Sequence, residues 1–220
     1  MNNTQKKALE MLENVMTAET LQMTVSFASL FVLVFECFKD MVIDRPKSFY
    51  CLSTMEFHED KVVYRETEKY KNKVRKLAQK PFEASLRWFL EQGVITQEEL
   101  ERVLAIELHR HSFVHELYNV VHKGISDEDI KLLADLISIY KKIDSWWIYN
   151  VEIDWDEIND PDNVKMDECF SSSLMMIDVM INILLKGESN AYSECLAQIK
   201  EAVINKTNEK TAASSIEDKK

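Results

Sequence analysis

The sequence predicts an all-α protein, and three observations carry that expectation. Glycine and proline number three each in 220 residues, whereas a sheet protein of this size needs many tight turns built from them. Hydrophobic residues make up 46% of the chain, enough for a core. The clearest boundary signals are those of helices, a Thr-x-x-Glu start and glycines placed to end the preceding turns. The length suits one domain, expected over residues 1–205, with 206–220 as a disordered tail carrying Ile216 as its one large apolar residue.

The elements follow in order. A first helix pair is expected at Gln5 to Met16 and Thr20 to Ile43, closed by Arg45-Pro46 because proline cannot continue a helix. Lys47 to Glu59 reads as looser chain and Lys61 to Leu77 as a charged helix. Pro81 suits a helix start, and Phe82 to Gln92 runs on to Gly93 as a C-terminal glycine. Thr96-Gln97-Glu98-Glu99 fits a capping box and opens a helix over about 97–122 that stops at Gly124. Ser126 caps the next helix, Asp127 to about Glu152, with Trp146-Trp147 near its end. Asp154 to Asn163 is an acidic loop, Met166 to Lys186 an apolar helix ended by Gly187, and Asn190 to Asn205 a shorter helix.

The net charge of −11 opposes unspecific attraction to nucleic acid and anionic membranes, so an RNA ligand must reach a locally basic spot. Cys37, Cys51, Cys169 and Cys195 are widely spaced, which reads as free thiols in a reducing cytosol. The polar start, Met1 to Glu19, lacks a secretory signal, and the apolar run Leu21 to Phe35 is interrupted by polar residues and stops at Glu36. It is shorter than the roughly 20 apolar residues that cross a bilayer. A cytoplasmic protein with no membrane partner is expected.

Four of the five histidines lie between residues 109 and 122. On a helical wheel Val103, Ile106, Phe113, Val114, Leu117 and Val121 form one apolar stripe with Arg110 in its middle. His111, His115, Tyr118 and His122 fall on a flank about 80–140° away. An arginine inside an apolar stripe needs a partner because it stays charged at every accessible pH. One account is a structural salt bridge to a carboxylate on a neighbouring helix, with the histidines at the surface. The other is phosphodiester chemistry, in which an imidazole moves protons and a guanidinium holds a phosphate through paired donors.

Arg110-His111-Ser112-Phe113-Val114-His115 resembles the R-x-x-x-x-H motif of the HEPN superfamily of RNA-cleaving helical proteins. The residue after the family's arginine is often polar, as His111 is. Lys142-Ile143-Asp144-Ser145-Trp146-Trp147 is similar to a run in bacterial members of unassigned role, and the likeness covers roughly Gly93 to Val151. It implies an antiparallel HEPN-like helical bundle, a homodimer, and metal-independent cleavage of RNA by a toxin or phage-defence nuclease with an antitoxin protein as candidate partner. By that likeness Arg110 and His115 are catalytic and share a partly enclosed cleft completed across the dimer. His111 and Tyr118 support them, although the family's toxins have His-x-Tyr and Tyr118 lies three residues after His115. The alternative is a catalytically silent HEPN-like scaffold that acts through its dimer or partner interface.

No cofactor and no metal are expected. Glu107, His111 and His115 are spaced to share one helix face, but His115-Glu116-Leu117-Tyr118-Asn119 breaks the zinc-protease pattern and no second Glu-x-x-His is present. Asp154, Asp156, Asp160 and Asp162 lack the glycine and the final glutamate of a calcium loop.

Overall fold

A computed structural model describes residues 17–186, apart from 59, 60 and 159. Two compact units divide the chain, Met1–Leu174 and Met175–Lys220, and it is predominantly helical, as the composition predicts. The helix expected at Gln5 to Met16, Gly187, Cys195, the helix at Asn190 to Asn205 and the tail lie outside the described residues.

Helix α1, Ala18–Cys51, starts where the Thr17 hydroxyl accepts the Thr20 amide at 3.1 Å. It passes straight through Pro46, so the expected stop at Arg45-Pro46 is corrected. A proline inside a helix costs about 3 kcal/mol through a lost hydrogen bond and a clash. Here Phe38, Val42 and Pro46 are buried on one side of α1 and Cys51 is buried further along it, and this packing outweighs the local penalty. With the turn after it, Ala18–Thr54 is long and apolar enough to cross a membrane, at a mean hydropathy of 1.8, while 44% of that apolar window is buried inside the protein.

A 3-10 turn, Leu52–Thr54, leads to strands β1, Met55–His58, and β2, Lys61–Tyr64, paired antiparallel with Met55 opposite Tyr64 and Phe57 opposite Val62. This hairpin replaces the loose stretch and the first turn of the charged helix. Valines 62 and 63 and Tyr64 favour extended backbone, and the Thr54 hydroxyl fixes the hairpin base by donating to the Arg65 carbonyl at 2.7 Å. The charged helix shrinks to α2, Glu68–Lys73, capped by Thr67, and a turn at Arg75–Leu77.

Helix α3, Pro81–Glu91, ends as expected at Gly93. The Gly93 amide donates to the Leu90 carbonyl and the Val94 amide to Phe89, a Schellman ending that needs the positive φ of 72° at Gly93. Helix α4, Gln97–His115, opens with both halves of the capping box in place at Thr96 and Glu99. Contrary to a continuous helix over 97–122, it breaks at Glu116, whose φ of −122° and ψ of 27° leave the helical region, and resumes as α5, Leu117–Lys123. The break redirects the chain so that α5 packs on α1 as well as on α4. Helix α6, Asp127–Trp147, starts with a second capping box, Ser126 with Asp129, and runs into a π-helical turn, Ile148–Glu152. The acidic loop contains short 3-10 turns. Helix α7, Ser172–Lys186, begins at Ser172 rather than Met166. Ser171 sets that start, because its amide donates to Asp144 at 2.7 Å and its hydroxyl accepts the Leu174 amide.

In the first unit α1 is the element that the others surround. Phe27 and Phe31 meet Phe113 of α4, Phe35 and Phe38 meet Phe82 of α3, and Phe38 meets Tyr140 of α6, all with centroids within about 6 Å, the spacing of favourable aromatic pairs. The pairs advance together along α1 and α6, through Phe38 with Tyr140 and then Phe49 with Trp147. They run in opposite order along α1 and α4, from Phe27 with Phe113 to Glu36 with Arg110. Thus α4 runs opposite to both.

Candidate functional site

Arg110 projects from the middle of α4 toward α1. Its Nη2 donates to the Glu36 carboxylate, and its Cζ lies 5.8 Å from the centroid of the Phe35 ring. Nε is buried with no acceptor, so of the guanidinium's fork Nη1 is the end that remains for another ligand. The side chain retains 23% exposure. Of the expected apolar stripe, Val103, Ile106 and Phe113 are buried around Arg110 while Val114 and Leu117 are exposed, and the structure supplies the carboxylate partner. The one sequence signal of that partner was Glu36 ending the apolar run Leu21 to Phe35, since periodicity on α4 does not reach a residue of α1.

The histidines do not gather around it. His111 and His115, one turn apart, are exposed and stack with ring centroids 5.5 Å apart at 18°. His115 is the last residue of α4. Tyr118 lies past the break, 76% exposed, and meets His122 edge-on at 4.3 Å. The expected shared cleft of Arg110 and His115 is therefore corrected at the level of one chain, where His115 faces solvent. Among the described residues, one surface cavity of about 380 Å³ is lined by Glu19, Met23 and Gly124 with their neighbours, and another of about 500 Å³ by Arg45, Ser48 and Val62 with theirs. Among the described residues no group of three or more His, Cys, Asp or Glu is placed to hold a metal ion. Cys37, Cys51 and Cys169 are free thiols.

His109 is the histidine that the sequence reading passed over. Its Nε2 lies 2.5 Å from Asp129 Oδ1, and its ring sits between Phe31 and Phe113 at 6.0 and 5.4 Å. Burial pushes the Asp129 carboxyl up, but the Ser126 hydroxyl and amide and the His109 ring more than offset it and hold it below its ordinary value. One carboxylate therefore both caps α6 and anchors α4. Two turns earlier, Arg102 bridges Asp135 at 2.7 Å and Glu128 at 3.1 Å on α6. The signal was present as a His-Arg pair at 109–110 and an acidic first turn at 127–129, but no spacing rule links helices of unknown orientation.

One flank of α4 is thus fixed to α6 by ion pairs, its centre is fixed to α1 by Arg110, and its far flank presents two stacked imidazoles to solvent. Compared with protein-family models, with curated proteins and with solved structures, the chain matches none.

Proposed function

We propose that the protein is a metal-independent endoribonuclease of HEPN type, cytoplasmic, working as a homodimer in a toxin or phage-defence role. What supports this reading is the placement on one helix of a fixed cation, Arg110, with two exposed imidazoles, His111 next to it in sequence and His115 about a turn further on. His115 takes the proton of an RNA 2′-hydroxyl, whose oxygen attacks the adjacent phosphorus. Arg110 stabilises the charge that develops on the phosphorane oxygens through Nη1, and a second imidazole returns a proton to the departing 5′-oxygen. The products are a 2′,3′-cyclic phosphate and a free 5′-hydroxyl. Because His115 faces solvent in one chain, a second copy is required to enclose the site. An antitoxin protein is a further candidate partner.

The test is cleavage of single-stranded RNA in EDTA by wild type and by His115→Ala. Loss of about 10²–10⁴-fold in rate is expected from removing a general acid–base group. Undiminished cleavage by the variant sinks the reading.

A second reading is favoured by one observation, the Glu36 pairing of Arg110. In it the protein is a catalytically silent HEPN-like scaffold that acts through its dimer or partner interface, with Arg110 supporting that face by holding α4 to α1. An RNA-inert wild type together with loss of the dimer in Arg110→Ala selects it.

A further inference from the structure

Charge is sharply segregated along this acidic chain. Residues 69–80 carry six basic side chains and no acidic one, which leaves twenty-one against thirty-eight for everything else. In this stretch Lys69, Lys73, Lys76 and Lys80 are exposed, and among the described residues none of the four has a carboxylate within ion-pair distance. Tyr70 and Val74, buried to 1% and 0%, fix α2 to the core beneath them. The cations are therefore held on a rigid support.

The hairpin beside this stretch has the opposite defect, too much exposed apolar surface. Phe49, Leu52, Met55, Phe57, Val62 and Val63 are all exposed, Phe57 to 72%. The register puts Met55, Phe57, Val62 and Tyr64 on one face of the hairpin. The two features are joined: the Thr67 hydroxyl donates to the Tyr50 carbonyl at 3.0 Å, and Lys69 Nζ lies 5.6 Å from the Tyr50 ring, which in turn meets Phe49 edge-on. A soluble chain rarely leaves so many neighbouring apolar side chains uncovered without an occupant.

We infer that the hairpin, α2 and the turn after it form a docking surface for an anionic lipid bilayer, with Phe57 and its neighbours entering the interface and Lys69, Lys73, Lys76 and Lys80 pairing with headgroup phosphates and carboxylates. The apolar composition decides between occupants. Single-stranded nucleic acid uses cations and aromatic rings for backbone and stacking, but Leu52, Met55, Val62 and Val63 offer it nothing to stack on. An acyl boundary takes aliphatic and aromatic side chains alike. The acidic remainder of the molecule is repelled by the same leaflet, so the charge separation also orients the protein. This inference does not rest on the ribonuclease reading.

The experiment is flotation of the full chain with phosphatidylcholine vesicles and with vesicles containing about 30% phosphatidylserine, at about 0.1 M and about 0.5 M salt. Wild type is expected to float with the serine-lipid vesicles alone and to be released by salt. Each neutralised lysine weakens partitioning about fivefold, so Lys69→Gln/Lys73→Gln/Lys76→Gln is expected to lower it about a hundredfold. Phe57→Ser lowers it by about tenfold or more. The lysines are exposed, so an unchanged circular dichroism spectrum shows that the triple variant folds. The inference is overturned if wild type ignores anionic vesicles, or if it binds both kinds equally. It is also overturned if these lysines are needed only for RNA binding, or if Phe57→Ser abolishes only self-association.

Discussion

Arg110 and Glu36 form the ion pair that ties the centre of α4 to the centre of α1, with Phe35 packed against the guanidinium. Side-chain exposures of 23% and 37% place the pair between the screened and the dry limits. A double-mutant cycle of Glu36→Ala with Arg110→Ala is expected to give a coupling of about 1 kcal/mol, the upper range for exposed pairs. The same variants separate structure from catalysis. Under the ribonuclease reading Glu36→Ala frees Nη2, so RNA cleavage survives it and is lost in Arg110→Ala. Equal loss in both, with stability matched, means that the pair acts as a unit and the phosphate role of Arg110 fails.

Arg110→Lys keeps the charge and removes the planar fork. Under the ribonuclease reading the guanidinium holds a phosphate and a carboxylate at once, a task that a point charge cannot take over. Cleavage in this variant is expected to fall by about tenfold or more, since a lost charged hydrogen bond is worth about 1.5–3 kcal/mol. Rate measurements on RNA under saturating protein check it, and a rate equal to wild type removes Arg110 from the reacting centre.

The helical architecture was legible because its signals are local. Thr96 with Glu99, Ser126 followed by an acidic turn, and Gly93 after an apolar helix each act within a few residues, and each is where the structure uses it. What was not legible depends on tertiary context. Pro46 should stop α1, and only the burial of Phe38, Val42 and Cys51 explains why it does not. The Val62-Val63-Tyr64 strand was hidden among lysines and glutamates that suggest a helix. The break at Glu116 follows no glycine or proline, and it parts His115 from Tyr118 and His122, which one continuous wheel had put together. The partners Glu36 and Asp129 come from helices whose directions only the fold determines.

A composite site predicts complementation. If Arg110 of one copy works with His115 of the other, a mixture of Arg110→Ala and His115→Ala proteins contains heterodimers with one intact site out of two. After equilibration the mixture is expected to recover about a quarter of wild-type cleavage, although each variant alone is inert. No recovery, with subunit exchange verified by labelled chains, shows that both groups act from the same chain.

Asp144 is fully buried and accepts from Arg45 Nη2 at 2.5 Å and from the Ser171 amide at 2.7 Å. Arg45 also donates to the Asp144 carbonyl and lies 5.8 Å from the Trp147 ring. Removing the carboxylate leaves Nη2 of a guanidinium with 12% exposure and the Ser171 amide without their acceptor. Asp144→Ala is expected to cost about 3–5 kcal/mol in urea unfolding, the range for breaking a buried pair. A loss below about 1 kcal/mol shows that Arg45 reaches water or another acceptor.

Tyr140 gives the protein an alkaline limit. It is 1% exposed, and burial, then the Asp144 carboxylate, push its phenol from 10.0 up to about 12. A raised folded pKa means that the neutral form is favoured by folding. Its contribution is fully present below pH 10 and is lost as pH rises through about 12. The rise from 10.0 to about 12 corresponds to about 2–3 kcal/mol. Tyr140→Phe keeps the ring against Phe38 and cannot ionise, so its stability is expected to stay flatter from pH 10 to 12 while wild type declines. Thermal melts of both proteins across that interval check it. Subtracting one curve from the other removes the background of the remaining tyrosines and lysines, and parallel curves show that the Tyr140 phenol ionises without strain in the folded chain.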